Sequence, residues 1–195
     1  TLSGLQKVYQ LGLSGFVMYV FILLFGFYIL LRAFDFKAWM AALGAVIWAF
    51  SSYFFIIIAA GHIWKVLALA YIPPTIAGLV LCYKGKYLWG GLVTAFFLAL
   101  QILSNHVQMS YYFLPVMAAV ALAFLVQAIR EKKLAEWCKA SSVLVLAGLM
   151  GVAINASNLY HTYEYSKHTM RGKSELTSKI NKNPENQTKD GLERD

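Results

Sequence analysis

Long apolar runs separated by short polar segments dominate this 195-residue chain. A helix needs about 20 mostly apolar residues to cross a hydrocarbon core of about 30 Å. Runs of close to that length predict an all-α fold, a polytopic membrane helix bundle of about six transmembrane helices. The predicted spans cover residues 13–31, 39–60, 66–83, 87–104, 111–129 and 141–157.

Small residues recur at a spacing of four within two of these spans. Such stripes let two helix backbones approach closely, so they predict helix packing rather than a binding site. The stripes are Ala41, Ala45 and Ala49 in the second span and Ala147 and Gly151 in the sixth.

Two prolines, Pro73 and Pro74, fall inside the third span. Proline removes a backbone donor and frees a carbonyl, so we expect a kink in this helix. The kink would either widen a vestibule near the outer end of the helix or serve packing alone.

The composition agrees with a membrane environment. Hydrophobic residues make up 59% of the chain and charged residues 13%, against about half and about a quarter in soluble domains. The net charge of +8 comes from basic residues between the apolar runs, where membrane proteins place them. The predicted partner is therefore a lipid bilayer and not nucleic acid.

The basic residues of the short loops predict the orientation. Lysine and arginine collect in cytoplasmic loops, and alternate loops of this chain hold eight basic residues on one side and only Lys65 on the other. The N-terminal and C-terminal ends are then both outside. The eight are Arg32, Lys37, Lys84, Lys86, Arg130, Lys132, Lys133 and Lys139.

The polar ends of the chain divide it into three predicted regions. Residues 1–12 form an outer N-terminal segment, 13–159 a transmembrane bundle, and 160–195 an extracytoplasmic segment. Tyrosines prefer the headgroup level, so residues 160–170 are expected to form an interfacial helix. Both terminal segments are expected to be truncated, as in a fragment of a larger membrane protein.

In this topology all four histidines lie on the outer side, two of them in short loops. His62 and Lys65 stand three residues apart at the mouth of the third span, where they could bind a phosphate or simply cap the helix. Asn105, His106 and Gln108 follow the fourth span, and their side chains could hydrogen-bond hydroxyl groups or merely solvate a short loop.

The C-terminal segment holds weaker candidates. His161, Glu164 and His168 would share a helical face, a spacing that a metal site can use, although no metal site is predicted from it. The cofactor is therefore unknown, with a divalent cation possible. Arg171 and Glu175 form a charged turn that could clamp a phosphate or be solvated surface.

Several short strings together resemble the YfhO family of bacterial membrane proteins, in the form common among Bacteroidetes. They are GHIWK at 61–65, NHVQM at 105–109 and RGKSE at 171–175, within a resemblance that runs from about residue 34 to 176. The resemblance implies a multi-pass protein of the bacterial cytoplasmic membrane, related to the GT-C glycosyltransferases of the cell envelope. These enzymes transfer a sugar from a polyprenyl-phosphate carrier at the outer face.

The resemblance also implies which residues belong to a site and which residue is missing. The catalytic residue is unknown, because GT-C enzymes usually keep an acidic residue in a first outer loop that should precede this chain. The fragment alone is thus expected to be inactive and to need the remainder of the same polypeptide. A transporter or flippase and a non-catalytic scaffold are the alternatives. The motif residues are His62, Lys65, Asn105, His106, Gln108, Glu164, Arg171 and Glu175.

Overall fold

The computed structural model describes residues 15–167, which consist of helices joined by short turns and contain no strand. This confirms the all-α prediction. In chain order the described helices are α1 (Gly15–Ala33), α2 (Ala38–Ala49), α3 (Ser52–Ala59), α4 (Ile63–Tyr83), α5 (Tyr87–Leu103), α6 (Val107–Arg130), α7 (Leu134–Ile154) and α8 (Ala156–Lys167).

Each of the six predicted spans corresponds to helical structure, but not every span is one long helix. Helices α1, α4, α6 and α7 are long and apolar enough to cross a membrane. The second predicted span is broken into α2 and α3, which are bent by 42° and would together make a fifth crossing. Helix α5 has only 17 residues. Several apolar helices are therefore present, as in a membrane protein, and the number six stays a prediction.

The chain divides into two compact units, Thr1–Asn155 and Ala156–Asp195. The first contains α1 to α7. The second contains α8, whose range Ala156–Lys167 includes much of the tyrosine-rich segment for which a helix was expected. Each unit is described here by itself.

Helix α4 is the centre of the first unit. Sixteen of its residues are buried, and it contacts α1, α3, α5, α6 and α7. Apolar residues cover all of its faces, as expected for a helix enclosed by other helices. These five helices can thus each bury one side against α4 and leave the other side exposed.

Helix α4 packs against α5 through glycines that bring the two backbones together. A Cβ built on Gly90 would lie 2.6 Å from the Cys82 nitrogen and 2.7 Å from the Gly78 carbonyl oxygen. A Cβ on Gly78 would lie 2.7 Å from the Thr94 nitrogen. These positions have no space for a side chain, so glycine is required for the close approach.

The proline pair also serves close packing. Pro73 and Pro74 are buried, and α4 continues through them without ending. Pro74 removes the usual helical donor to the Ala70 carbonyl, and Gly26 of α1 lies against that carbonyl, with a built Cβ only 2.5 Å from its oxygen. The burial of both prolines and the contact with Gly26 favour the packing alternative, and a kink that widens a vestibule stays a prediction.

The small-residue stripes are confirmed as packing surfaces. All of their members are buried, and Gly44 of α2 lies against Leu31 of α1. A Cβ on Gly151 of α7 would contact Leu98 and the Ala95 carbonyl of α5 at 3.3 to 3.4 Å. The stripes thus hold α2 to α1 and α7 to α5.

We expect Gly90→Ala to destabilise the protein by about 1–3 kcal/mol, because the new methyl group meets backbone atoms that cannot move away cheaply. Gly148→Ala is the matched control in α7, where nothing lies within 4 Å of the new Cβ. It should be neutral or stabilising by up to about 1 kcal/mol, since alanine favours helix. Unfolding followed by circular dichroism in detergent checks both. Equal effects would contradict the close-packing argument.

Candidate functional site

The antiparallel packing of α4 and α5 assigns the loops to two ends of the first unit. The rings of Tyr71 and Phe97 lie 6.4 Å apart, and Gly78 faces Gly90, so the two helices run side by side in opposite directions. The loops that contain His62 and His106 therefore share one end, which we call the histidine end. The turn at residues 84–86 lies at the other end, which we call the basic end.

Lys65 is the most clearly positioned of the predicted site residues. It is half-buried in the first turn of α4, and its Nζ lies 5.6 Å from the centroid of the Tyr53 ring in α3. An ammonium over an aromatic face at this distance is an attractive cation–π contact. Tyr53 was not predicted as a site residue, because only the turn at residues 60–62 brings α3 back against the start of α4.

Three backbone N–H groups at the start of α4 already donate hydrogen bonds within the chain. The N–H groups of Lys65 and Val66 donate to the His62 carbonyl oxygen at 3.1 and 3.2 Å, and that of Ile63 donates to the Gly61 carbonyl oxygen at 2.9 Å. An anion here would therefore bind the Lys65 ammonium rather than these N–H groups.

His62 precedes α4 and is exposed, and its side chain does not cap the helix. It follows Gly61, whose φ of 77° makes the tight turn that starts α4. The His62 imidazole and the Lys65 ammonium thus belong to residues three positions apart at the histidine end. In the part of the chain that the structure describes, no hydrogen bond joins these two side chains, and their joint role stays a prediction.

The second predicted group lies in the turn between α5 and α6. Asn105 has a left-handed backbone with φ of 53°, His106 immediately precedes α6, and Gln108 lies in its first turn. The Gln108 Nε2 donates to the Tyr112 hydroxyl at 2.7 Å, so one of its amide protons is already used. Its carbonyl oxygen can still accept a hydrogen bond from a hydroxyl group.

Sequence reasoning missed the amide that joins α5 to α6 at this end. Gln101 is buried, and its Nε2 donates to the Ser110 Oγ at 2.9 Å, while the Ser104 Oγ donates to the Gln101 carbonyl oxygen at 2.5 Å. A glutamine inside an apolar run was the available signal, since a buried amide needs partners. This network fixes the turn that presents Asn105 and His106.

The remaining candidates lie beyond the first unit. In α8, His161 and Glu164 are exposed, and the His161 ring lies 5.9 Å from that of Tyr160. His168, Arg171 and Glu175 fall outside the described residues. Within residues 15–167, no group of three or more histidine, cysteine or acidic side chains is arranged to hold a metal.

At the basic end, charged side chains are paired with each other. The Lys84 Nζ donates to the Asp35 carboxylate and to the Ala33 carbonyl oxygen, which ties the turn after α4 to the turn after α1. The hydrogen bond from Lys84, and then its charge, lower the pKa of Asp35. Lys133 pairs with Glu131 at 3.1 Å.

The hydrogen bonds of Glu131 tie down the turn between α6 and α7. The Gln127 amide donates to Glu131 at 2.8 Å, and this bond, followed by that of Lys133, lowers the pKa of Glu131. The same ion pair raises the pKa of Lys133. A cavity opens beside these residues, which no sequence motif indicated.

The chain was compared with protein-family models, with curated proteins and with solved structures, and none of the three comparisons gave a match. The resemblance to the YfhO family therefore rests on the motif residues alone.

The Asp35–Lys84 pair predicts a pH dependence of stability. Since folding lowers the pKa of Asp35 below its ordinary 3.8, the pair stabilises the protein above that pH and its contribution is lost as the pH falls through the folded-state value. Asp35→Asn should lower the melting temperature at pH 7 and have progressively less effect below about pH 4. Lys37→Ala, in the same turn, should show no such pH dependence. A constant Asp35→Asn effect across this range would contradict the assignment.

Proposed function

We propose that this chain is a multi-spanning protein of the bacterial cytoplasmic membrane that contributes to sugar transfer from a polyprenyl-phosphate carrier at the outer face. The observation that carries the proposal is the half-buried Lys65 ammonium at the histidine end, held beside Tyr53 where apolar helices end. The motif resemblance supplies the reaction class.

Membrane placement is supported by the exposed surface of the helices. Large apolar side chains point outward around the first unit, among them Ile47, Leu88 and Leu146, each more than 60% exposed. In the 18-residue apolar stretch of α6, no residue is buried. A surface this apolar is far beyond the patches of a few hundred Å² that soluble monomers expose. Lipid acyl chains would cover this apolar surface without the free-energy cost of exposing it to water.

The distribution of charge supports the same placement. Every buried polar side chain among the described residues is neutral, and the charged ones lie at or near the helix ends. Charges avoid the hydrocarbon core because their burial there costs several kcal/mol or more. The basic end is then cytoplasmic, and the histidine end faces outward.

Single cysteines at two matched positions test this orientation. His62 and Lys86 are both exposed, and each follows a turn glycine and directly precedes a helix. In a Cys82→Ala, Cys138→Ala background, an impermeant thiol reagent should label His62→Cys in intact spheroplasts and label Lys86→Cys only after lysis. The reverse result would invert the orientation, and labelling of both in intact spheroplasts would argue against membrane placement.

The proposed chemistry assigns each group at the histidine end a task. The acceptor hydroxyl attacks the sugar carbon as the bond to the carrier phosphate breaks, and a carboxylate outside these 195 residues takes the acceptor proton. The phosphate leaves with the bonding electrons, and the ammonium of Lys65 stabilises its charge. Asn105, His106 and Gln108 offer hydrogen bonds to the sugar hydroxyls.

Lys65→Ala should weaken binding of polyprenyl phosphate about tenfold or more. A charged hydrogen bond to phosphate at a partly desolvated site contributes about 1.5–3 kcal/mol. Binding rather than turnover is the measurement, because the catalytic carboxylate is expected outside this chain. Tyr53→Leu should give a smaller loss in the same direction, since it removes the ring that positions the ammonium.

Lys37→Ala is the control, because it removes an equal charge from the basic end. Arg171→Ala should also weaken binding, and Arg171→Lys should recover little of the loss if the contact is bidentate. Equal, negligible effects of Lys65→Ala and Lys37→Ala would remove the phosphate role and leave the histidine end without an assigned ligand.

The bend of 42° between α2 and α3 favours a second candidate, a transporter or flippase. Broken helices often line substrate sites in transporters, because their free backbone groups can bind cargo. Against this, the buried polar side chains among the described residues carry no charge. Protein-dependent movement of a fluorescent polyprenyl-phosphate lipid across proteoliposomes would favour transport over surface transfer.

A further inference from the structure

A cavity at the basic end lies where α4, α6 and α7 meet. Its volume is about 300 Å³, and both aromatic and charged side chains line it. The Tyr83 ring stacks on those of Phe124 and Trp137 with centroid distances of 5.1 and 6.0 Å. The Tyr83 hydroxyl is 3.1 Å from the Ser141 Oγ, and the Trp137 indole donates to the Ala121 carbonyl oxygen at 3.2 Å. The aromatic wall is therefore fixed by hydrogen bonds as well as by stacking.

The charges that line the cavity are balanced in sign. Lys84 and Lys133 are basic, and Glu131 and Glu136 are acidic. The Lys84 ammonium has three protons and two partners, and Lys133 pairs with Glu131, so each lysine can still donate. Glu136, in the first turn of α7, is exposed, and its charge acts on Lys133. The cavity thus offers further donors on two cations and a second, exposed carboxylate.

This arrangement matches a ligand that carries a phosphate and an ammonium together. A purely anionic ligand would meet two carboxylates as well as two lysines, so it would gain little net attraction. The Tyr83 ring is stacked against those of Phe124 and Trp137. Its face is therefore not available as part of an aromatic cage for a quaternary ammonium. A primary ammonium can instead donate hydrogen bonds to the Glu136 carboxylate.

Size and position point to the headgroup of a lipid. The volume of about 300 Å³ is many times the roughly 10–15 Å³ that one water needs by the same measure, so the cavity accommodates a phosphoethanolamine group. Tryptophan and tyrosine are the side chains that membrane proteins place at the headgroup level.

We propose that this cavity binds the phosphoethanolamine headgroup of a membrane lipid, its phosphate contacting Lys84 and Lys133 and its ammonium contacting Glu136. The inference rests on the membrane placement proposed above and is independent of sugar transfer. The site would hold a specific lipid between α6 and α7 at the basic end.

Native mass spectrometry of the purified protein with added phosphatidylethanolamine, phosphatidylglycerol and phosphatidylcholine tests the proposal. Phosphatidylethanolamine should bind about tenfold more tightly than either of the others, the change expected for one charged hydrogen bond. Glu136→Gln should abolish this preference, because it removes the ammonium's partner and also a carboxylate that opposes the anionic phosphatidylglycerol headgroup. Lys133→Ala should weaken phosphatidylethanolamine binding, whereas Lys37→Ala, at the same end but outside the cavity, should not.

Several outcomes would overturn the proposal. Equal binding of the three lipids, or an unchanged preference in Glu136→Gln, would show that the cavity does not recognise the headgroup. Competition by soluble phosphoethanolamine at the lipid's own concentration would identify a site for a free phosphate ester instead. Failure of the protein to incorporate into liposomes would overturn the membrane placement as well, and normal incorporation without a lipid preference would overturn only this inference.

Discussion

The close approach of α4 to its neighbours is the constraint on which the first unit depends. Gly26 of α1 lies against the carbonyl that Pro74 frees, and Gly78 and Gly90 bring α4 and α5 to backbone contact. In the proposed membrane placement, helices would gain little from burying apolar surface against each other, so packing at small residues would hold them together. The same residues fix the register of α4 and α5, and the register decides which loops meet at each end.

This packing also determines where chemistry can occur. Because α4 fills the centre with apolar side chains, a polar group can be buried there only if it is neutral and hydrogen-bonded to a neighbour. Asn155 shows the requirement, since it is buried and donates to the carbonyl oxygens of Ala99 and Gly151 at 3.0 Å. Ionisable groups are left to the helix ends, where water or headgroups solvate them. A binding site in the first unit must therefore be sought at an end of the helices.

Sequence patterns predicted the helices better than the sites. Apolar runs identify helices because all backbone groups must pair within an apolar segment. The break at residues 50–51 has no proline or glycine to mark it, and α7 begins at Leu134 rather than Ser141 because its first turns are amphipathic. The Lys65–Tyr53 contact and the cavity beside Trp137 depend on how separate helices pack. Periodicity within one helix carries no information about such contacts.

The two ends differ in whether carboxylates neutralise the charge of their lysines. This difference affects what each end can bind. At the basic end, Lys84 and Lys133 have carboxylate partners, so a ligand in the cavity beside them meets nearly balanced charge although the end as a whole is basic. At the histidine end, the described neighbour of Lys65 is the ring of Tyr53, which orients the ammonium without neutralising it. A half-buried cation with no carboxylate partner among the described residues attracts anions more strongly than a paired one. A phosphate monoester therefore fits the histidine end, and a zwitterion fits the basic end.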